Sequence, residues 1–362
     1  MHIDVVRPHE LSPSDLDNWR DVQRDNAWVD SPFLSADFAL AVAEVRPHTR
    51  VAVLSDGAEA AGFFAYELGR WRQGTALATG LSDLQGVVAS PELGVDMGQV
   101  MRGCDLDLYT FDHLLAGQRD WLKDLPSRFS SESSPALDLS DGFGEYARQQ
   151  RITSKSLFQS ITRKRRKLER EHGPMRLTFH EPDHQLLDDV LKWKSDQYRR
   201  TGRRDRFADV GTRALVHHLL DLQTGTFGAP LTVLYAGDAV VAAHLGLRSR
   251  RTLAWWFPVY NPSFAAYSPG LLLCHELARA MPERGLSVLD LGKGDESYKQ
   301  RFANTGIPLL EGSIATKRAA QALHTARTWP ARRLTRVVLE SPRLRQLARR
   351  TLAEAGRLRG AA

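Results

Sequence analysis

A chain of 362 residues with 42% hydrophobic and 25% charged side chains carries material for two ordinary folded domains. No apolar run reaches the ~18 residues of a conventional membrane span, which excludes such a span within this sequence. The formal charge of +6 is uneven: residues 317–362 hold twelve Lys or Arg against Glu340 and Glu354, a net of +10, leaving −4 for residues 1–316. The body is therefore not a generally basic, polyanion-coating surface.

Cys104 and Cys274 lie in helical or near-helical stretches, and nothing around them has metal-ligand spacing. With no basic segment leading into an apolar run at Met1-His2-Ile3-Asp4, a reduced cytoplasmic protein without a metal is expected.

In chain order, residues 15–24 read as a helix, and 50–54 turn at Asp56-Gly57 into 60–68 as a hairpin. Strands are expected at 75–78 and 106–110, with a helix near 97–103 between them. Residues 127–141, with Ser130-Ser131-Glu132-Ser133-Ser134 at the centre and Pro135 after it, suit an exposed connection. A single helix is expected over 143–170, with Ile152, Phe158, Ile161 and Leu168 on one face. It carries Arg163-Lys164-Arg165-Arg166-Lys167 and is ended by His172-Gly173-Pro174. That cluster is either a solvated helix face or a polyanion site.

Helices at 184–200 and 210–223 follow, then strands at 231–235, 240–247 and 252–257. A loop at 258–269, a helix at 270–281, a strand at 287–291, a helix at 295–303 and a strand at 309–315 complete the body. The order defines a mixed α/β layer fold. Each half has a turn-linked strand pair, a further strand, a loop, a helix and another strand, without a strict repeat. The expected domains are 1–141, a connecting basic helix 142–174, a second domain 175–316, and a basic helical tail 317–362. Pro330 and Pro342 divide the tail, which either packs on the body or docks at an anionic membrane surface.

Chemistry concentrates in residues 244–299. Ser268 can cap a helix that starts at Pro269-Gly270. The free N–H groups of its first turn favour an anion, and Gly270 lets pyrophosphate come close. His244 sits between small residues on a strand, either as a structural imidazole or as a base for an attacking amine or alcohol. Asp290 ends an apolar strand, where it can orient His244, bind an ammonium group or cap the next helix. Lys299 either pairs with Asp295 or Glu296 or reaches a phosphate or developing oxyanion. Tyr267 either satisfies a local carbonyl or protonates a leaving thiolate.

The succession His244-Leu245-Gly246-Leu247-Arg248, Tyr260-Asn261-Pro262, Tyr267-Ser268-Pro269-Gly270-Leu271-Leu272-Leu273 and Asp290 through Phe302 resembles the CelD-like branch of the GNAT acyltransferase superfamily. The likeness covers about residues 150–316. Through Leu81-Ser82-Asp83-Leu84-Gln85-Gly86 it extends loosely to residue 20. It implies two GNAT-like mixed-sheet halves and acyl transfer from acetyl-CoA or another acyl-CoA to a small molecule or saccharide. By the same resemblance, Ser268, Gly270 and Leu271 cradle the pyrophosphate, and Asp83 and Gln85 face the acceptor. Tyr298-Lys299-Gln300-Arg301-Phe302 also resembles a segment of the peptidoglycan aminoacyl transferases, which places Lys299 near the reacting carbonyl. The usual GNAT phosphate loop, Arg/Gln-x-x-Gly-x-Gly/Ala, is absent. Aminoacyl transfer from a charged tRNA is the enzymatic alternative, and a non-catalytic GNAT scaffold binding a polymer or partner is the other.

Overall fold

Period-2 patterning builds the sheet. In the strand Thr49–Asp56, Val51 and Val53 point into one apolar cluster while Ala52 and Leu54 point into another, so the strand is covered on both faces. The computed structural model describes residues 1–57 and 59–327. The expected tail helices beyond 327 lie outside the described residues, where 318–327 are helical.

The first half comprises β1 (His2–Val6), α1 (Pro13–Asp25), α2 (Ala36–Val45), β2 (Thr49–Asp56), β3 (Glu59–Leu68) and β4 (Gln73–Ala76). It continues with β5 (Val88–Ala89), α3 (Met97–Gly103) and β6 (Leu108–Leu115). Then come β7 (Ser127–Asp138), α4 (Gly142–Thr153), α5 (Lys155–His172), β8 (Met175–Thr178), α6 (His184–Arg200) and α7 (Val210–Asp221). The chain closes with β9 (Leu231–Ala236), β10 (Ala239–Arg248), β11 (Thr252–Tyr260), α8 (Pro269–Ala280), β12 (Val288–Asp290), α9 (Ser297–Phe302) and β13 (Thr305–Ala315).

All strands join one mixed sheet in the order β1-β2-β3-β4-β6-β13-β7-β12-β11-β10-β9-β8, with β5 paired to β3. Each half contributes an antiparallel run, then one parallel seam: β4 with β6, and β11 with β12. The strand order crosses the expected boundary. Strand β13 lies between β6 and β7, pairing antiparallel with both, and β7 pairs with β12. Each half thus completes its sheet with a strand from the other side of the chain. One apolar cluster joins the halves, bringing Trp19 and Phe38 together with Leu187, Leu215 and Ala243. Burial of each large apolar side chain contributes about 1.5–3 kcal/mol, so this shared cluster ties the halves firmly.

Two expectations change. The serine-rich stretch at 127–141 is exposed over most of 127–133, as expected, but it is not a connection: most of it is β7, whose backbone pairs with β13 from Ser127 to Ala136. Ladder bonds need no apolar side chains, so a polar composition hid the strand. The helix expected over 143–170 is two helices broken at Ser154, whose φ −127 and ψ 38 leave the helical region. Ile152, ahead of the break, is 74% exposed, whereas Phe158, Ile161 and Leu168 are buried.

Candidate functional site

Strands β11 and β12 run parallel through three pairs, Thr252↔Val288, Leu253↔Leu289 and Ala254↔Asp290. Beyond them β11 continues to Tyr260, while the chain after Asp290 turns away at Gly292, whose φ of 73 favours glycine. Where the strands part lies a pocket of about 410 Å³. Trp255 and Trp256, on opposite faces of β11, line it together with Gly292 and Lys299. Asp83 reaches in from the first half, and Arg203, Arg204 and Arg206 line it from the loop after α6.

Lys299 is buried on α9. Its Nζ donates to Gly292 O at 3.0 Å and Lys293 O at 3.3 Å and lies 3.3 Å from Glu296 Oε2. Gly292 separates this ammonium from Asp83: a Cβ at Gly292 would lie 3.4 Å from Asp83 Oδ2 and 3.9 Å from Lys299 Nζ. The missing side chain therefore opens a space flanked by one carboxylate and one ammonium. Burial pushes the Asp83 carboxyl up to about 6; Asp290 adds to the rise, while His113, Arg206 and Lys299 oppose it.

Asp83 is held by its own loop. Ser82 Oγ donates to Leu77 O at 2.6 Å, and Trp256 Nε1 donates to Leu81 O at 2.7 Å across the halves. Gln85 was expected to contact the acceptor, but it is buried away from the pocket. Its Oε1 accepts from Asp112 N and His113 N at 3.0 Å, and its Nε2 donates to Asp112 Oδ1 at 2.5 Å. It braces the Asp83 loop against β6. Asp290 is buried beneath the pocket, where it accepts from Ser134 Oγ and, at 2.9 Å, from Gly292 N. Burial raises its carboxyl, opposed by those two donors. The bond to Gly292 fixes the turn that opens the pocket, so Asp290 shapes the site from below. It shares no hydrogen bond with His244.

His244 is a correction. It is fully buried, its ring stacks on Trp255 with centroids 4.4 Å apart, and Nε2 lies 3.1 Å from Ala254 O and 3.2 Å from Trp256 N. Burial drives it down to about 3, so it stays neutral and lies outside the pocket lining. Its small neighbours make room for the imidazole itself: a Cβ on Gly246 would fall 2.5 Å from His244 Cε1.

Tyr267 is a second correction. Its hydroxyl donates to Glu171 Oε2 at 2.6 Å and lies 3.0 Å from His172 Nε2, so it anchors the end of α5 rather than facing the pocket. Ser268 does not cap α8: it sits in the left-handed region at φ 54 and ψ 54, and its side chain makes no cap bond. Pro269 has no N–H, and the N–H groups of Leu271 and Leu272 turn back to Ser268 O at 3.0 and 3.4 Å. The first turn is thus largely self-satisfied, which leaves Leu271 a poor anion donor. Gly270 does face open space, with nothing within 4 Å of an added Cβ.

Sequence reading missed the arginines and Lys194. Lys194 is buried on α6, with Nζ donating to Pro258 O at 2.7 Å. Burial, then Arg203, Arg206 and Lys299, pulls its ammonium down to about 7. The available signal was Arg203-Arg204-Asp205-Arg206, three arginines within four residues directly after a helix.

Residues 155–300 match the family described as an acetyltransferase (GNAT) domain. The match runs from the start of α5 into α9, less than half of the chain, and it supports a transferase. Solved structures share the fold across nearly the whole chain. FemX aligns with a TM-score of 0.54 at 10% identity, covering 90% of this chain and 99% of its own. The C-terminal domain of a putative lysylphosphatidylglycerol synthetase from Agrobacterium fabrum aligns at 0.51 and 14%, covering 87% and 95%. L-PGS from Bacillus licheniformis aligns at 0.51 and 12%, covering 94% and 98%. No curated protein matches the chain. Among the described residues no helix is long and apolar enough to cross a membrane, and no group of His, Cys, Asp or Glu forms a metal site.

Proposed function

We propose that the protein is a CelD-like acyltransferase that moves an acyl group, acetyl in the simplest case, from coenzyme A to an amine or hydroxyl of a small-molecule or saccharide acceptor. The observation that carries this reading is the placement of Asp83 and Lys299 on either side of the space left by Gly292. At neutral pH a carboxyl titrating near 6 is mostly ionised yet basic enough to take a proton. Asp83 accepts the proton of the attacking N–H or O–H as the new bond to the thioester carbon forms. Negative charge then gathers on the carbonyl oxygen, which the Lys299 ammonium stabilises by exchanging its long 3.3 Å bond to Lys293 O for one to that oxygen. The C–S bond breaks, and the departing thiolate takes the proton from Asp83. No covalent enzyme intermediate is needed, and Cys274 is fully buried in α8.

Ser268, Gly270 and Leu271 remain the proposed contacts for the coenzyme A pyrophosphate. The open space over Gly270 supports this, while the self-satisfied turn shifts the burden to neighbouring cations such as Lys164, whose Nζ bonds Ala266 O. The two buried, unpaired cysteines fit a reducing cytoplasm.

A second reading, an aminoacyl-tRNA donor, is favoured by one feature. The exposed side of α5, with Arg163, Arg166 and Lys167, lines a wide groove beside His275 of α8. Calorimetry with acetyl-CoA and filter binding with charged tRNA over a salt series separate the donors. Saturable acetyl-CoA binding with thiol release supports the first reading. Charged-tRNA binding that falls steeply with salt, without acetyl-CoA binding, replaces it by the second. Peripheral docking of the basic tail at an anionic membrane remains a proposal for residues 317–362.

A further inference from the structure

The pocket beside Asp83 and Lys299 carries more positive charge than the transfer step uses. Of its cations, Lys293 pairs with Glu311, Lys299 with Glu296, and Arg203 with Glu296 at 3.3 Å. Arg204 and Arg206 line the same pocket, yet neither guanidinium makes an ion pair or hydrogen bond among the described residues. Asp83 feels the charge of Arg206 but forms no ion pair with it, so both guanidinium groups keep all of their donors free at the edge of the pocket.

We propose that Arg204 and Arg206 bind a phosphate group on the acceptor, so that the pocket selects phosphorylated substrates and presents their amine or hydroxyl to Asp83. This rests on the acyl-transfer reading of the same pocket. Two planar five-donor forks match the several oxygens of a phosphate, whereas one carboxylate is saturated by a single fork. Arg203 closes the rim through Glu296, which in turn contacts Lys299, so the anion site adjoins the reacting end of the pocket. Trp255 and Trp256, almost wholly buried on opposite faces of β11, expose only narrow indole edges to the carbon skeleton between phosphate and nucleophile. The phosphate can belong to a soluble monoester or to a lipid headgroup, because both present the same oxygens to the arginines.

Lys194 supplies an independent readout. After burial, Arg206 is among the charges that pull its ammonium down to about 7, so an anion bound by Arg206 and Arg204 relieves part of that field and raises it.

The test is calorimetry on the full chain in a phosphate-free buffer, with inorganic phosphate, glycerol 3-phosphate, glycerol and acetate. It is paired with sedimentation against phosphatidylglycerol and phosphatidylcholine vesicles. No acyl donor is present, so failure of acyl transfer and failure of phosphate binding are read separately. The expected result is saturable binding of glycerol 3-phosphate, weakened at least about tenfold by the exposed-site variant Arg204→Gln and only partly restored by Arg204→Lys, which keeps the charge but not the fork. Arg166→Gln on α5 should leave it unchanged. Phosphate should also move the Lys194 ε-carbon resonance toward the protonated form. Binding only to phosphatidylglycerol vesicles, lost in Arg204→Gln, supports the proposal with a lipid source. Equal binding of acetate, no effect of Arg204→Gln, or loss that follows Arg166→Gln instead would overturn it.

Discussion

The seam between β4 and β6 and the seam between β11 and β12 each run parallel for three residue pairs before their strands part, yet only the second opens into a usable pocket. In the first half Gln85 fills the parting. Its amide bonds the Asp112 and His113 backbone of β6, its own backbone pairs with His113 and Leu115, and the space left nearby is about 10 Å³. In the second half β12 stops at Asp290, Gly292 turns the chain aside, and Trp255 and Lys299 both line the space that opens. One topology therefore yields a plugged seam and an open one, and the difference lies in a single buried glutamine and a single glycine turn. The plugged half still acts on the open one, because the loop that Gln85 braces delivers Asp83.

The comparison breaks most visibly at the ammonium. Lys299→Ala should lower turnover by about 10²–10³ with little change in donor affinity, as expected for a group that meets charge developing in the transition state; steady-state kinetics beside donor calorimetry measures both. Asp83→Asn should cost about 10² in kcat and abolish the rise of kcat/KM with pH near 6. The same variant should gain stability at neutral pH. A carboxyl at about 6 when folded and 3.8 ordinarily binds more protons in the folded state. Its penalty is therefore absent below the unfolded value, grows as pH rises through the window between the two, and is complete above about 6. Urea unfolding at pH 7 and pH 4 should show Asp83→Asn more stable than wild type only at the higher pH, by on the order of 2 kcal/mol.

Gly292→Ala sharpens the steric side. A methyl between Asp83 and Lys299 at φ 73 should lower turnover by about tenfold and stability by about 1–2 kcal/mol, read by kinetics and urea melts. Gln85→Ala unplugs the first seam. It should cost about 2 kcal/mol and lower kcat by only a few-fold, through a loosened Asp83 loop. Ser268→Ala should shift stability by less than about 0.5 kcal/mol, because no cap bond is lost; a thermal melt suffices.

Much of the open half was legible in the sequence. Strands 231–235, 240–247 and 252–257 and the helix from 270 announced themselves by apolar runs bounded by turn residues. Asp290 was legible at the end of such a strand and Lys299 one turn into the helix after it, whereas Asp83 came only through the resemblance carried by Leu81 to Gly86. The polar strand β7 was not legible, since its pairing with β13 is a backbone contact between residues far apart in the chain. His244 was misread for a physical reason: small neighbours signal space, but here Gly246 spends that space on the imidazole. The α8 start kept its position but not its chemistry, because the left-handed Ser268 turns its carbonyl into the first-turn donors. Arg203, Arg204 and Arg206 escaped notice as a polar loop, and only the return of that loop over β11 gives them a pocket to line.

The central claim is that the reacting carbonyl lies where β11 and β12 part. A crystal structure of the full chain with a non-hydrolysable acetyl-CoA analogue tests it most directly. The account predicts the carbonyl oxygen within hydrogen-bond reach of Lys299 Nζ and the acyl carbon beside Asp83. An analogue seated in the α5 groove, or one that leaves both side chains untouched, would contradict it.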